Sequence, residues 1–148
     1  MGAYGGPRNI MRMISPSGPV YQAGTLSGNP VAVAAGIAQL DWLRRHSEIY
    51  AHLESLGARL GEGLNKAVPG SRIERVGSML TLFFRSGAVR SWNEASRCDT
   101  ARFARFHRTM LRRGIYLPPS QFEAWFISAA HRVKDIEFVK RRARDAVR

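Results

Sequence analysis

Between Gly24 and Ala38 the chain reads Gly-Thr-Leu-Ser-Gly-Asn-Pro and then Val-Ala-Val-Ala-Ala-Gly-Ile-Ala, and this junction restricts the possible folds more than any other stretch. Asn29 is a favoured N-cap residue, because its side-chain oxygen can accept from an orphan backbone N–H. Pro30 suits the first helical position, where no N–H is needed. A helix is therefore predicted from about Pro30 to about Arg45. Ala32, Ala34, Ala35, Gly36 and Ala38 permit close backbone approach, while Val33, Ile37, Leu40 and Leu43 recur at helical spacing. A helix smooth on several sides expects neighbours on several sides, as in a subunit interface or between domains. Just upstream, Thr25 and Ser27 offer hydroxyls, Gly24 and Gly28 let a ligand approach the backbone, and the first helical turn offers N–H groups at the positive end of the dipole. These are the parts of a phosphate or carboxylate cradle. The same residues also make an ordinary loop capping a buried helix, and patterning alone leaves the two readings about even.

The 148 residues suffice for one ordinary domain, and 45% hydrophobic content suffices for a core. No apolar run approaches the ~18 residues of a transmembrane helix, and Met1 to Pro7 lack the plan of a signal peptide. The single cysteine, Cys98, can form no internal disulfide, which suits a reducing cytoplasm. It reads as a structural thiol, and no metal-ligating cluster is expected. The net charge of +12 is mostly arginine, since Lys66, Lys134 and Lys140 are the only lysines among 23 basic residues. Arg102, Arg105, Arg108 and Arg112 lie at helical spacing opposite Phe103, Phe106 and Met110, the pattern of a solvated face. A nucleic-acid surface is the sharper alternative, but no recognised motif accompanies the charge.

Read in order, residues 1 to 20 are irregular, broken by glycine and proline, with "IMRMI" as a helical turn or packed loop. Ser47 is a candidate cap for a second helix whose stripe is Ile49, Leu53, Leu56, Leu60 and Leu64. Gly57, Gly61 and Gly63 should weaken it by up to ~1 kcal/mol each, and Pro69-Gly70 ends it. "RIERV" and "SMLTLFF" read as two strands. Residues 87 to 98 read as a polar loop containing Trp92. Asp99 or Thr100 then caps a helix reaching about Arg113, with Phe103, Phe106, Met110 and Leu111 inward and Gly114 at C′. "IYL" at 115 to 117 and "WFISAA" at 125 to 130 are predicted strands. A last helix, about Val133 to Val147, faces inward through Ile136, Val139, Ala143 and Val147. The order β-β-α-β-β-α over residues 70 to 148 predicts an α+β layer on a small, mainly antiparallel sheet.

The wording of four stretches adds to this: "GPVYQAGTLSGNPVAVAAGIAQL", "GAYGG" at 2 to 6, "VGSMLTLFF" at 76 to 84 and "LPPSQFEAWFISAAH" at 117 to 131. Together they closely resemble the glutamate-1-semialdehyde 2,1-aminomutases, class-III aminotransferase-like enzymes of fold type I. Nearly the whole chain takes part in the resemblance, but it covers only the C-terminal part of a family member. The resemblance implies an α/β to α+β fold, with residues 1–46 as the end of the large coenzyme domain and residues 47–148 as a connecting helix and small domain. It implies pyridoxal 5′-phosphate as cofactor, a homodimer in the cytoplasm, and conversion of glutamate-1-semialdehyde to the tetrapyrrole precursor 5-aminolevulinate. Gly24 and Thr25 then match the residues that meet the phosphate of a coenzyme held in the other subunit. Tyr21 stands near the same phosphate. Glu123 matches a glutamate beside the substrate, and Phe122 and Trp125 suggest that its site is partly enclosed. His131 reads as structural.

The chain also departs from the family pattern. The family's Schiff-base lysine lies just upstream of "GAYGG", and no lysine precedes Lys66 here. The aspartate at the pyridine nitrogen and the substrate-binding arginine belong to the same upstream part. No catalytic residue is therefore assigned within this chain, and activity by itself is not expected. Trp125 replaces a small residue expected beside the substrate. Three readings follow: the C-terminal portion of the aminomutase, a binding module that pairs with a separately encoded N-terminal part or an intact homologue, and a basic RNA-binding protein.

Overall fold

The computed structural model describes residues 2–147. They form two compact units, one ending at Ser47 and the other beginning at Glu48.

The first unit holds a single turn of helix, α1 (Arg8–Met11), and the long helix α2 (Pro30–Arg45). Between them the chain closes on itself, with Ser15 N–H donating to Val20 O at 2.9 Å and Val20 N–H to Met13 O at 2.8 Å. α2 begins at the predicted residue, and the Asn29 side chain accepts from both Val31 N–H and Ala32 N–H at 3.1 Å. No residue of α2 is buried within this unit.

The second unit contains the core. α3 (Glu48–Ala67) is followed by β1 (Arg72–Val76), β2 (Met79–Phe83), the short helix α4 (Trp92–Ala95), α5 (Thr100–Arg112), β3 (Trp125–Phe126) and α6 (Val133–Ala146). The sheet has the order β1-β2-β3 and is antiparallel throughout. β1 and β2 form a hairpin over Gly77-Ser78, in which Gly77 has φ +58°. Ser78 keeps a negative φ, so the turn fits type II′, which places glycine first. Period-two alternation sends Ile73, Leu80 and Leu82 to one face, where Leu56, Leu60 and Leu64 of α3 cover them. Phe103, Phe106 and Met110 of α5 and Ile136 and Ala143 of α6 complete this core. Beside it, Phe83, Ala95 and Cys98 form a small separate cluster.

Five expectations change. The stretch 115 to 117 forms no strand, and "WFISAA" contributes only the two residues of β3. Ile115 and Leu117 are buried as a strand would have them, but among the described residues no strand pairs with them. The loop around Trp92 contains α4, because Ser91 caps it and accepts from Glu94 N–H. Leu111 lies outside the α5 stripe and is 48% exposed. Finally, the α3 glycines permit close packing. A side chain at Gly57 would run into the Gly77 carbonyl, and Gly61 packs on Leu80 and Ile73.

Candidate functional site

In the first unit the predicted residues Tyr21, Gly24 and Thr25 share one exposed loop. A turn shapes it, with Ser27 N–H donating to Gly24 O at 2.9 Å and Asn29 N–H to Leu26 O at 3.1 Å. A Cβ at Gly24 would meet the Ser27 hydroxyl, so a larger residue there would have to turn the Ser27 side chain aside. The first turn of α2 is not the anion site foreseen from sequence. Asn29 takes the N–H groups of Val31 and Ala32 through its side chain, and its carbonyl takes that of Val33. Among the described residues, no hydrogen bond uses the N–H groups of Gly24, Thr25 or Leu26, or the hydroxyls of Thr25 or Ser27. These are five donors on four consecutive residues. No carboxylate occurs before Asp41, so a phosphate here would meet no like charge from residues 1–40. The donor set fits a phosphate group.

Glu123 lies in the second unit, in the turn before β3. Its Oε1 accepts from Ser120 N–H at 3.1 Å, and its own N–H donates to Ser120 O at 3.2 Å. Thr81 Oγ1 donates to Glu123 O at 3.3 Å and ties the turn to β2. One carboxylate oxygen is therefore held and the other is free. The flanking aromatics do not enclose Glu123. The Phe122 ring packs on Trp92 at 5.2 Å, and Trp125 points into the core because it occupies an inward position of β3. Glu123 instead sits on the wall of a groove of about 700 Å³, lined mainly by Gly114 to Pro119 and Ala124 to Ile127. His131 also lines it. His131 Nδ1 accepts from Ser128 N–H at 3.0 Å, so a neutral ring carries its proton on Nε2. Sequence reading placed Glu123 and Trp125 of this groove at a substrate site but not the Gly114 to Pro119 wall, since its residues come together only through packing. The alternation of Ile115, Tyr116 and Leu117 was the one local signal.

Cys98 is buried, and desolvation pushes its thiol up, with the Arg85 guanidinium opposing the shift. A raised thiol in a small apolar cluster is a poor nucleophile.

No family model matches the chain. The glutamate-1-semialdehyde 2,1-aminomutase of Sorangium cellulosum is 55% identical over 99% of the chain. That of Thermomicrobium roseum is 53% identical over the same share. The chain is homologous to the C-terminal part of glutamate-1-semialdehyde 2,1-aminomutase. It spans about a third of these relatives' length, 34% and 35%. An omega-transaminase from Sphaerobacter thermophilus superposes with a TM-score of 0.72 over 97% of the chain and 34% of its own, at 23% identity. A Pseudomonas aeruginosa glutamate-1-semialdehyde aminomutase, solved in complex with PMP, gives 0.59 over 66% of the chain and 22% of its own, at 25% identity. The fold is thus that of a part of the fold type I transferases. A basic nucleic-acid-binding module finds no support in this family. Among the described residues, no helix is long and apolar enough to cross a membrane.

Proposed function

We propose that this chain supplies the phosphate-clamping loop and the small domain of a pyridoxal 5′-phosphate-dependent glutamate-1-semialdehyde 2,1-aminomutase, acting in the cytoplasm on the path to 5-aminolevulinate. Identity of 55% across 99% of the chain supports this most, and the unused donors of the Gly24 loop agree with it. Residues 1–46 would complete the coenzyme domain, and residues 47–148 would form the connecting helix and small domain. The chain would work in a homodimer or with the rest of the family fold.

When bound, the coenzyme supplies a conjugated ring that stores electrons while an amine moves between neighbouring carbons. The residues of this chain bind and orient. The N–H groups of Gly24 and Thr25 and the Thr25 hydroxyl would donate to phosphate oxygens, as would the Tyr21 hydroxyl. Glu123, with one oxygen fixed by its own turn, would present the other to a small polar substrate. Its partner set holds the carboxylate in one orientation before any ligand arrives, which lowers the ordering cost on binding.

A chimera tests the reading: this chain replaces the matching third of the Sorangium cellulosum enzyme, and coenzyme is titrated by absorbance. Thr25→Val keeps the shape and removes the hydroxyl. A hydrogen bond to a charged group contributes about 1.5–3 kcal/mol, so affinity should fall roughly 10- to 150-fold, each ~1.4 kcal/mol being tenfold. Equal affinities would withdraw Thr25 from the site.

A further inference from the structure

The arginine stripe of α5 has no part in the function proposed above, and the fold divides it. Arg108 and Arg112 stand in solvent. Arg102, Arg105 and Thr109 instead line a pocket of about 350 Å³, together with Phe84 and the end of α6 at Ala146 and Val147. That volume lies at the small end of the range for organic ligands. The pocket belongs wholly to the second unit, whereas the Gly24 loop belongs to the first.

The two guanidiniums are in different states. Arg102 Nη2 donates to Pro69 O at 2.7 Å, and its guanidinium carbon lies 4.6 Å from the centre of the Phe84 ring. These contacts fix its plane, and among the described residues no hydrogen bond uses its Nε or Nη1. The Arg105 side chain makes no hydrogen bond or ion pair among the described residues. Three positions apart on one helix, the two side chains are neighbours. No carboxylate lines the pocket. Asp99, which caps α5, already accepts from Arg102 N–H through Oδ1 at 2.7 Å. The Thr109 hydroxyl is also spent, donating to Arg105 O at 3.0 Å and accepting from Arg112 Nη2 at 3.2 Å. The end of α6 carries the negative pole of its dipole toward this place. Arg113 answers it, donating through Nη2 to Asp145 O at 3.0 Å.

With 23 basic residues against 11 acidic ones, the carboxylates of the chain cannot pair every guanidinium. An anion from solution can. Guanidinium forks match phosphate oxygens in geometry as well as charge, and two neighbouring forks suit a dianion. Ala146 and Val147 give the same pocket an apolar wall, which a bare inorganic anion would leave unused. We propose that this pocket binds a phosphate monoester, with its dianion between Arg102 and Arg105 and its organic group against Ala146 and Val147. The assignment does not depend on the family reading.

Titration of the 148-residue chain with phenyl phosphate, followed through backbone amide shifts by NMR, tests it. The amides of Thr109 and Ala146 should shift saturably. Arg105→Gln breaks no contact of the fold and should weaken affinity about tenfold, as expected for a hydrogen bond to a charged group. Arg108→Gln removes the same charge from the same helix outside the pocket and should change affinity less than about twofold. Inorganic phosphate should bind severalfold more weakly than the ester. No saturable shift at Thr109 and Ala146 would overturn the proposal. Equal losses from Arg105→Gln and Arg108→Gln would do so too, since they would mean diffuse attraction to a basic surface. Inorganic phosphate binding as tightly as the ester would remove the organic group from the pocket and overturn the assignment to a monoester. Shifts confined to residues 24–32 and abolished by Thr25→Val would overturn the pocket while agreeing with the family reading.

Discussion

Gly57 and Gly63 lie two helical turns apart at most, yet they respond to different neighbours. A Cβ at Gly57 would collide with the Gly77 carbonyl, which the hairpin holds at φ +58° and which Arg75 Nη1 also grips at 2.8 Å. Backbone cannot retreat as a side chain can. Gly57→Ala should therefore destabilise the chain by about 1–3 kcal/mol through overpacking, outweighing the ~1 kcal/mol gained in helix propensity. At Gly63 the obstacle is the Lys140 side chain from Cγ to Cε, which can move as backbone cannot. Gly63→Ala should lie within about 1 kcal/mol of the parent. Urea denaturation of the two variants checks the contrast, and similar losses at both sites would refute the close approach of α3 to the hairpin.

α3 and α6 share more than apolar packing. Arg59 of α3 donates to Glu137 of α6 at 2.6 Å, and Lys140 donates to the same carboxylate at 2.9 Å. Lys140 and then Arg59 hold the Glu137 carboxyl below the ordinary glutamate range. A carboxyl lowered in the folded state contributes stability that is fully present above its unfolded value near ~4.3 and is lost as pH falls through the lower folded value. The melting temperature should thus decline as pH drops from about 5 toward 3, and Glu137→Gln should flatten that decline. Solvent reaches this pair, so raised salt should shrink the effect. Equal acid slopes for parent and variant would remove Glu137 from the account.

For the whole molecule, every residue of the main core lies between Leu56 and Ala143, and α2 buries none within its own unit. Protection from exchange follows local burial. In the isolated chain the amides of residues 30–45 should exchange quickly while those of α3, β2 and α5 are protected. Deleting residues 1–47 should leave the melting temperature of the remainder within a few degrees. A collapse of the transition on deletion would show that the first unit supports the second. Val31, Ile37 and Leu40 stand exposed on α2. Adding the rest of the family fold should slow exchange there.

What could be read directly was local. Asn29-Pro30, Asp99 and Gly114 mark helix ends through their own side chains or backbone freedom, and each end falls where these residues put it. The stripes Leu56, Leu60, Leu64 and Phe103, Phe106, Met110 name the core because helical periodicity is a property of the chain alone. The wording of the Gly24 loop carried the family. Tertiary structure decided the rest, because strand pairing and close packing depend on residues far apart in sequence. Ile115 to Leu117 has a strand's alternation but no partner, and β3 shrinks to two residues for the same reason. The α3 glycines read as weak helix formers until the hairpin lay against them. Glu123 read as enclosed by aromatics, whereas the inward register of Trp125 and the packing of Phe122 on Trp92 leave it on an open groove wall.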